Sequence, residues 1–193
     1  MGIVVQDVSL DANAIVTLVQ AKALLEILDT KYDAILATLI NGVSTLFDIT
    51  TRRNLMTKTY TAVYFDGNGM PDLFLPNYPV TVITSITEDD IALVEGVDED
   101  YILYAEEGRL LRDGVWLEGA KKIKMTYTAG YVIVGTITLP ADLKLKCLKR
   151  VAIEWKKYRD RSWGESSKTY PDGSITFEAD DDLLKDLYGY IRW

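Results

Sequence analysis

Three groups of carboxylates are the residues in this sequence whose type and spacing best suit chemistry. They are the runs at 88–90, 98–100 and 180–182, which read Glu-Asp-Asp, Asp-Glu-Asp and Asp-Asp-Asp. A calcium loop needs Asp or Asn at its first, third and fifth positions and Gly at the sixth. Counted from Asp98, the fifth and sixth positions are Ile102 and Leu103. We therefore predict two solvated turns and one helix start, and no metal site.

Motifs for nucleotide binding and nucleophilic catalysis are incomplete. The segment FDGNGMPD carries Gly67 and Gly69 without a third glycine or a following helix pattern, so we interpret it as a hairpin turn. The chain has no histidine, which removes Ser-His and Cys-His pairs and histidine zinc sites. Its single cysteine, Cys147, lies on an apolar helical stripe. These residues predict no enzyme activity and no cofactor, although spacing alone leaves a glycosidase-type carboxylate pair open.

The distribution of charge is more informative than the net value of −8. From Pro140 to Arg161 there are eight basic and three acidic side chains, a local net of +5, so the remainder of the chain carries −13. Such a basic element on an acidic body indicates a partner for that element or head-to-tail stacking between like subunits. The acidic remainder argues against a surface that grips nucleic acid throughout.

Helical periodicity appears at both ends of the chain. TLVQAKALLEIL has a capping box at Thr17 and Gln20 and an apolar face that includes Leu28. A second helix is predicted from Asp29 or Thr30 through TKYDAILATLINGVSTLFDITTR. A third helix begins at LPADLK, with Asp142 near its positive end and apolar residues at 143, 147, 148, 151, 155 and 158.

Between these helices the composition changes to short strands rich in β-branched and aromatic residues. We predict an α+β fold, in which a small bundle of two N-terminal helices, one long central helix and one C-terminal helix carries an inserted antiparallel β barrel or sandwich. The predicted limits are an N-terminal arm at 1–16, a helical body at 17–56 and 138–193, and the insertion at 57–137. A hairpin is expected near 166–178, with Pro171-Asp172-Gly173 at its tip.

The order of these elements resembles the head-to-tail connector, or adaptor, proteins of tailed bacteriophages. The resemblance rests on TLVQAKALLEIL, YDAILATLINGVSTLFDITTRR, NYPVTVITSI, YTAGYV and LPADLK in succession, followed by a long helix, a hairpin and a short C-terminal helix. It implies a structural virion protein of the neck, assembled in the host cytoplasm. Such a protein forms a ring, commonly a dodecamer, under the portal, where it extends the DNA channel and offers a platform for neck or tail proteins.

The resemblance also implies sites and partners. The partners are further copies of the chain, the portal protein and a neck or tail completion protein, while double-stranded DNA passes through without sequence-specific binding and no membrane is involved. Portal docking is assigned to the aromatic C-terminal segment, at Leu187, Tyr188, Tyr190, Ile191 and Trp193. The charge distribution, and not the resemblance, predicts a subunit or partner interface on the basic helix, at Lys146, Lys149, Arg150, Lys156 and Lys157.

Two other classes of function stay open at this point. A stopper or tail terminator would also assemble into a ring but would bind a different partner. A carbohydrate-binding module would need exposed tryptophans on the β-insertion, where Trp116 is the one tryptophan between residues 57 and 130.

Overall fold

The chain divides into two compact units. The computed structural model describes residues 9–133, 138–161, 167–170, 173–176, 185 and 187–191. One unit, here the helical unit, comprises residues 1–52 and 139–193, and the other, the β unit, comprises residues 53–138. Helices and antiparallel sheets are both present, so the predicted α+β class is confirmed.

Helix α1 (Leu18–Leu25) forms at the predicted capping box. The Thr17 hydroxyl accepts a hydrogen bond from Gln20 N at 3.2 Å, and Gln20 Oε1 accepts one from Thr17 N at 3.1 Å. The helix ends because Glu26 adopts a left-handed φ of 56°. Leu28 therefore lies beyond the helix and is 98% exposed, so its predicted place on the apolar face is wrong.

Helix α2 (Asp33–Thr51) starts later than the periodicity predicted. Asp29 Oδ1 accepts a hydrogen bond from Lys31 N at 3.1 Å, and Thr30 O accepts one from Asp33 N at 3.2 Å. These local turns use the polar groups that would otherwise begin a helix. By length and composition α2 resembles a membrane span, as the core helix of a globular protein also does. Its buried face consists of Leu36, Ala37, Ile40, Val43, Ser44, Phe47 and Thr51.

Residues 9–16, within the segment predicted as an arm, pack along α2. The backbone N–H of Ile15 donates to Ser44 Oγ at 3.0 Å, and Asn13 Nδ2 donates to Asp48 Oδ2, also at 3.0 Å. Ala14, Ile15 and Val16 are buried. This part of the chain therefore belongs to the core of the helical unit, while residues 1–8 lie outside the described residues.

Helix α3 (Ala141–Asp160) begins after Pro140, which is the residue preceding the first helical turn. Four members of the predicted apolar stripe are buried: Leu143, Cys147, Val151 and Trp155. Tyr32 packs edge-on against Trp155, with ring centroids 5.1 Å apart. Arg150 is buried as well, although it is a cation outside the predicted apolar stripe.

Two antiparallel sheets form the β unit. The larger has the order β1 (Lys58–Gly67), β7 (Gly119–Ala129), β3 (Val80–Glu88) and β4 (Ile91–Ala92). The smaller has the order β2 (Asp72–Phe74), β6 (Arg109–Arg112) and β5 (Tyr101–Tyr104). Both sheets contribute to one hydrophobic core, in which Ile123, Met125, Tyr127 and Ala129 line one face of β7 with a period of two.

Of the two predicted alternatives, a barrel or a sandwich, the barrel is not present among the strands that the structure describes. β7 uses both of its edges, pairing with β1 on one side and β3 on the other. Closure would require β1 to pair with β4, but β4 has only two residues and β1 contains irregular register at two points. Two open sheets around a shared core are the result.

The joint after β7 depends on Gly130. Its φ of +110° lies in the region that favours glycine. A Cβ placed there would lie 2.5 Å from the carbonyl oxygen of Met56. A residue with a side chain, such as the neighbouring Ala129 or Tyr131, would be strained in this conformation, so the chain leaves the sheet at a glycine.

Beyond α3 the structure describes an antiparallel pair and a short turn. β8 (Ser167–Tyr170) pairs with β9 (Gly173–Thr176), which confirms the predicted hairpin, although residues 171–172 at its tip lie outside the described residues. Tyr188–Tyr190 form a 3-10 turn. The α-helices of the described residues are therefore α1, α2 and α3, and the rest of the predicted C-terminal helix falls mainly on residues that are not described.

Candidate assembly surface

The five cations assigned to an interface occupy three different environments on α3. Lys149 and Lys156 are exposed to solvent. Arg150 is only 7% exposed, and its Nη2 lies 2.8 Å from Glu154 Oε1, one helical turn away. Because Arg150 is buried and paired within its own helix, it is less available to a partner than Lys149.

Lys146 and Lys157 have intermediate exposure and lie on the same stripe of α3 as Arg150. Lys157 Nζ is 3.7 Å from Glu154 Oε1, and Lys146 Nζ is 3.7 Å from Asp142 Oδ2. Between Lys146 and Lys157 the helix carries five basic side chains and one acidic side chain, a net of +4. α3 therefore presents a strongly positive surface beside its buried stripe.

A groove runs between α2 and α3 next to this basic surface. It has a volume of about 340 Å³, and it is lined by Thr38, Leu39, Gly42, Val43, Leu46, Arg150 and Glu154. A Cβ added to Gly42 would meet no atom within 4 Å. Sequence reasoning missed the groove, although an isolated glycine inside an apolar helical pattern was a signal for it.

The C-terminal residues assigned to portal docking are partly engaged within the subunit. Leu187 is fully buried, and the Tyr190 hydroxyl donates a hydrogen bond to Asp142 Oδ2. Lys146 Nζ lies 5.6 Å from the centre of the Tyr190 ring. Ile191 is half-buried, only the backbone turn of Tyr188 is described, and Trp193 lies outside the described residues.

Two ionisable groups on α3 have shifted pKa values with clear causes. The hydrogen bond from Tyr190 lowers the pKa of Asp142 below its usual range, with Lys146 and backbone N–H groups adding to the effect. Burial raises the pKa of the Cys147 thiol to about 12. Cys147 is therefore a protonated core side chain and not an activated nucleophile.

The residues that suggested chemistry have structural roles where they are described. Asp100 Oδ2 accepts a hydrogen bond from Val94 N at 2.9 Å, within a turn. Glu88 is buried and forms an ion pair with Arg112, at 3.0 Å. No cluster of acidic or thiol ligands suited to a metal occurs among the described residues, which exclude the run at 180–182.

Trp116 does not form an exposed platform for a sugar. Its side chain is fully buried in the β unit, and its Nε1 donates to Pro71 O at 2.9 Å. The exposed aromatic surface that carbohydrate binding would require is therefore missing at this tryptophan.

Comparisons with known proteins identify a family for the chain and solved chains of similar fold. A family model described as head completion protein matches residues 14–182. The fold is similar to a chain in the neck of an empty GTA particle computed with C6 symmetry, with 16% identity, a TM-score of 0.58 and coverage of 97% of this chain and 95% of that chain. A chain in the neck of a native GTA particle computed with C12 symmetry gives 17% identity, a TM-score of 0.53 and coverage of 93% and 91%. No curated protein matches the sequence.

Proposed function

Because the chain belongs to the head completion protein family, we propose that it is a head-to-tail connector that forms a ring under the portal of a phage or phage-like particle. The family match over residues 14–182 is the observation that carries the proposal, since it spans both the helical unit and the β unit. It supports a structural role in the neck of the particle, without enzyme activity.

The ring is supported by symmetry and by charge. The two similar folds occur in necks computed with C6 and C12 symmetry, which favours a rotationally symmetric ring, such as a dodecamer, for this chain. A ring requires one face of each subunit to complement a different face of the next. The net of +5 from Pro140 to Arg161 and the net of −13 on the remainder provide charges of opposite sign for such faces.

An acidic body also suits a passage for DNA. Affinity for double-stranded DNA depends largely on how many phosphates a protein neutralises. A ring whose channel is lined mainly by the acidic part of each subunit would let DNA pass without holding it and without reading its sequence.

The C-terminal segment remains the proposed contact with the portal, and its residues are proposed to have two different roles. Leu187, which is fully buried, and Tyr190, which binds Asp142, hold the segment on the subunit. Tyr188, Ile191 and Trp193 are then the residues proposed to contact the portal. The opposite end of the ring is proposed to receive the next neck or tail protein.

Mixing the purified chain with its cognate portal and imaging the product by electron microscopy tests this function. The expected result is a ring of this protein on one end of the portal, with native mass spectrometry giving the oligomeric state of the free chain. A chain that does not bind the portal but binds a connector ring or the end of a tail tube would instead be a stopper or a tail terminator. A chain that binds none of these and remains a monomer would overturn the proposal.

A further inference from the structure

The groove between α2 and α3 is open to a side chain from outside the subunit. Leu39, Val43 and Leu46 give it apolar walls, and Gly42 leaves space above the backbone of α2. Ile49, which is 68% exposed, follows Leu46 by three positions and Gly42 by seven, so it extends the same face of α2. An apolar face of this kind on a charged protein indicates an interaction surface.

The same unit carries a projecting apolar side chain at the corner between α1 and α2. Leu28 is 98% exposed and lies between α1, which ends at Leu25, and α2, which begins at Asp33. Its neighbours Glu26 and Asp29 are also exposed, so residues 26–29, here the acidic corner, present a leucine between two carboxylates.

The α3 segment beside the groove and the acidic corner have net charges of opposite sign. The α3 residues that line the groove, Arg150 and Glu154, pair with each other, but they belong to the segment from Lys146 to Lys157, whose net charge is +4, whereas the acidic corner carries −2. Complementary charges steer two surfaces together and fix their register, while the apolar contact between them supplies the area removed from water.

We propose that, in the ring, the acidic corner of one copy docks into the α2–α3 groove of the next copy, with Leu28 over Gly42 and Glu26 and Asp29 facing the cations of α3. This inference rests on the ring proposed above and deepens it by naming both halves of the subunit interface. The contact is heterologous, so each subunit offers one corner and one groove, and the arrangement propagates around a closed ring.

Substitutions at Gly42 provide a matched test of the groove. A Cβ at position 42 would meet no atom within 4 Å, and both Gly42→Leu and Gly42→Ala favour the helix over glycine. We expect Gly42→Leu to lower the fraction of chain in rings at least about tenfold, because it occupies the place of Leu28, while Gly42→Ala assembles like the original chain. Both variants should unfold at the same temperature as the original chain or above it.

The corner is tested by Leu28→Asp, with Val97→Asp as its control. Val97 is 84% exposed and lies in the β unit, so the two substitutions make the same chemical change at comparable exposure. The fraction of chain in rings is measured by electron microscopy and native mass spectrometry. If the free chain is a monomer, the measurement is made after mixing it with its cognate portal. Loss of rings with Leu28→Asp and Gly42→Leu, but not with the two controls, is the expected result.

Cysteine trapping measures the contact directly. In a chain carrying both Leu28→Cys and Gly42→Cys, oxidation should give a ladder of covalent dimers, trimers and larger oligomers, whereas either single variant should stop at dimers. The native Cys147 is buried and should not take part. If the original chain forms rings while Gly42→Leu assembles normally and the ladder is absent, the docking proposal is overturned and the connector function stands. If the original chain forms no ring at all, both proposals fail.

Discussion

The Tyr190 hydroxyl donates a hydrogen bond to Oδ2 of Asp142, which joins the described C-terminal turn to the first turn of α3. The two residues are 48 positions apart in the sequence. Lys146 lies close to both, with its Nζ 3.7 Å from Asp142 Oδ2 and 5.6 Å from the centre of the Tyr190 ring. This contact fixes the C-terminal segment on the helical unit.

Replacing Tyr190 with Phe should destabilise the helical unit in a pH-dependent way. The pKa of Asp142 is lowered in the folded chain, so its contribution to stability is present above the unfolded value of about 3.9 and is lost as the pH falls through the folded pKa. We expect the free energy of unfolding to fall by about 0.5–1 kcal/mol at neutral pH, since the carboxylate is largely exposed. The difference should shrink below about pH 4 in urea titrations followed by circular dichroism.

Asp142→Asn is the control for that titration. It keeps an oxygen that accepts from Tyr190 but cannot ionise, so the pH dependence at this position should disappear. The assigned role of the Asp142 carboxylate would be contradicted if Tyr190→Phe lowered the free energy of unfolding by the same amount from neutral pH to below pH 4.

Charge reversal at two adjacent positions of α3 should have very different effects on folding. Arg150→Glu places a buried carboxylate one turn from Glu154 and should cost about 3 kcal/mol or more in the free energy of unfolding. Lys149→Glu, at an exposed position, should change it by less than about 0.5 kcal/mol. Thermal denaturation of the two variants checks this. Equal melting temperatures would show that Arg150 is not needed for the fold.

Only Lys149→Glu is therefore a clean probe of assembly. If the basic surface of α3 meets an acidic neighbour, this variant should weaken ring or portal binding in a folded monomer, more strongly at low salt than at high salt. Binding that is unchanged at every salt concentration would remove Lys149 from the interface.

Glu88 and Arg112 should form the most stabilising ion pair that the structure describes in the β unit. Glu88 Oε2 lies 3.0 Å from Arg112 Nη2, and Glu88 Oε1 accepts a hydrogen bond from Leu117 N at 2.8 Å. Glu88→Ala should lower the free energy of unfolding by about 3 kcal/mol, because it leaves the largely buried guanidinium of Arg112 without this carboxylate. Glu107→Ala, which removes an exposed partner of Arg109, should cost less than about 1 kcal/mol. Denaturant unfolding followed by tryptophan fluorescence compares the two, and equal costs would contradict the argument.

The Cys147 thiol should be unreactive in the folded chain. Burial raises its pKa to about 12, so at pH 8 it is protonated as well as inaccessible. A maleimide reagent should label one thiol per chain rapidly in concentrated guanidinium and label the native protein only at the rate of unfolding. Rapid labelling of the native protein would show that the α3 packing opens locally.

Local features of the fold were predictable from the residues themselves. Thr17 and Gln20 cap α1, because a capping box is completed within four residues. Gly130 adopts a conformation that its neighbours avoid, and β7 alternates buried and exposed residues as its sequence indicates. The absence of histidine and the place of Cys147 on an apolar stripe likewise argue against nucleophilic catalysis from the residues alone.

Other features depended on which elements pack together. Arg150 and Lys149 are adjacent cations in the sequence, but the angle of about 100° between successive helical residues places one toward α2 and the other toward solvent. The exposure of Leu28 followed from the left-handed turn at Glu26, and the open sheets followed from the length of β4. The sequence by itself determined the capping box of α1 and the positions of most strands, because these depend on neighbouring residues. Only the tertiary structure decided the groove and the contact of Tyr190 with Asp142, because each depends on residues brought together from separate elements.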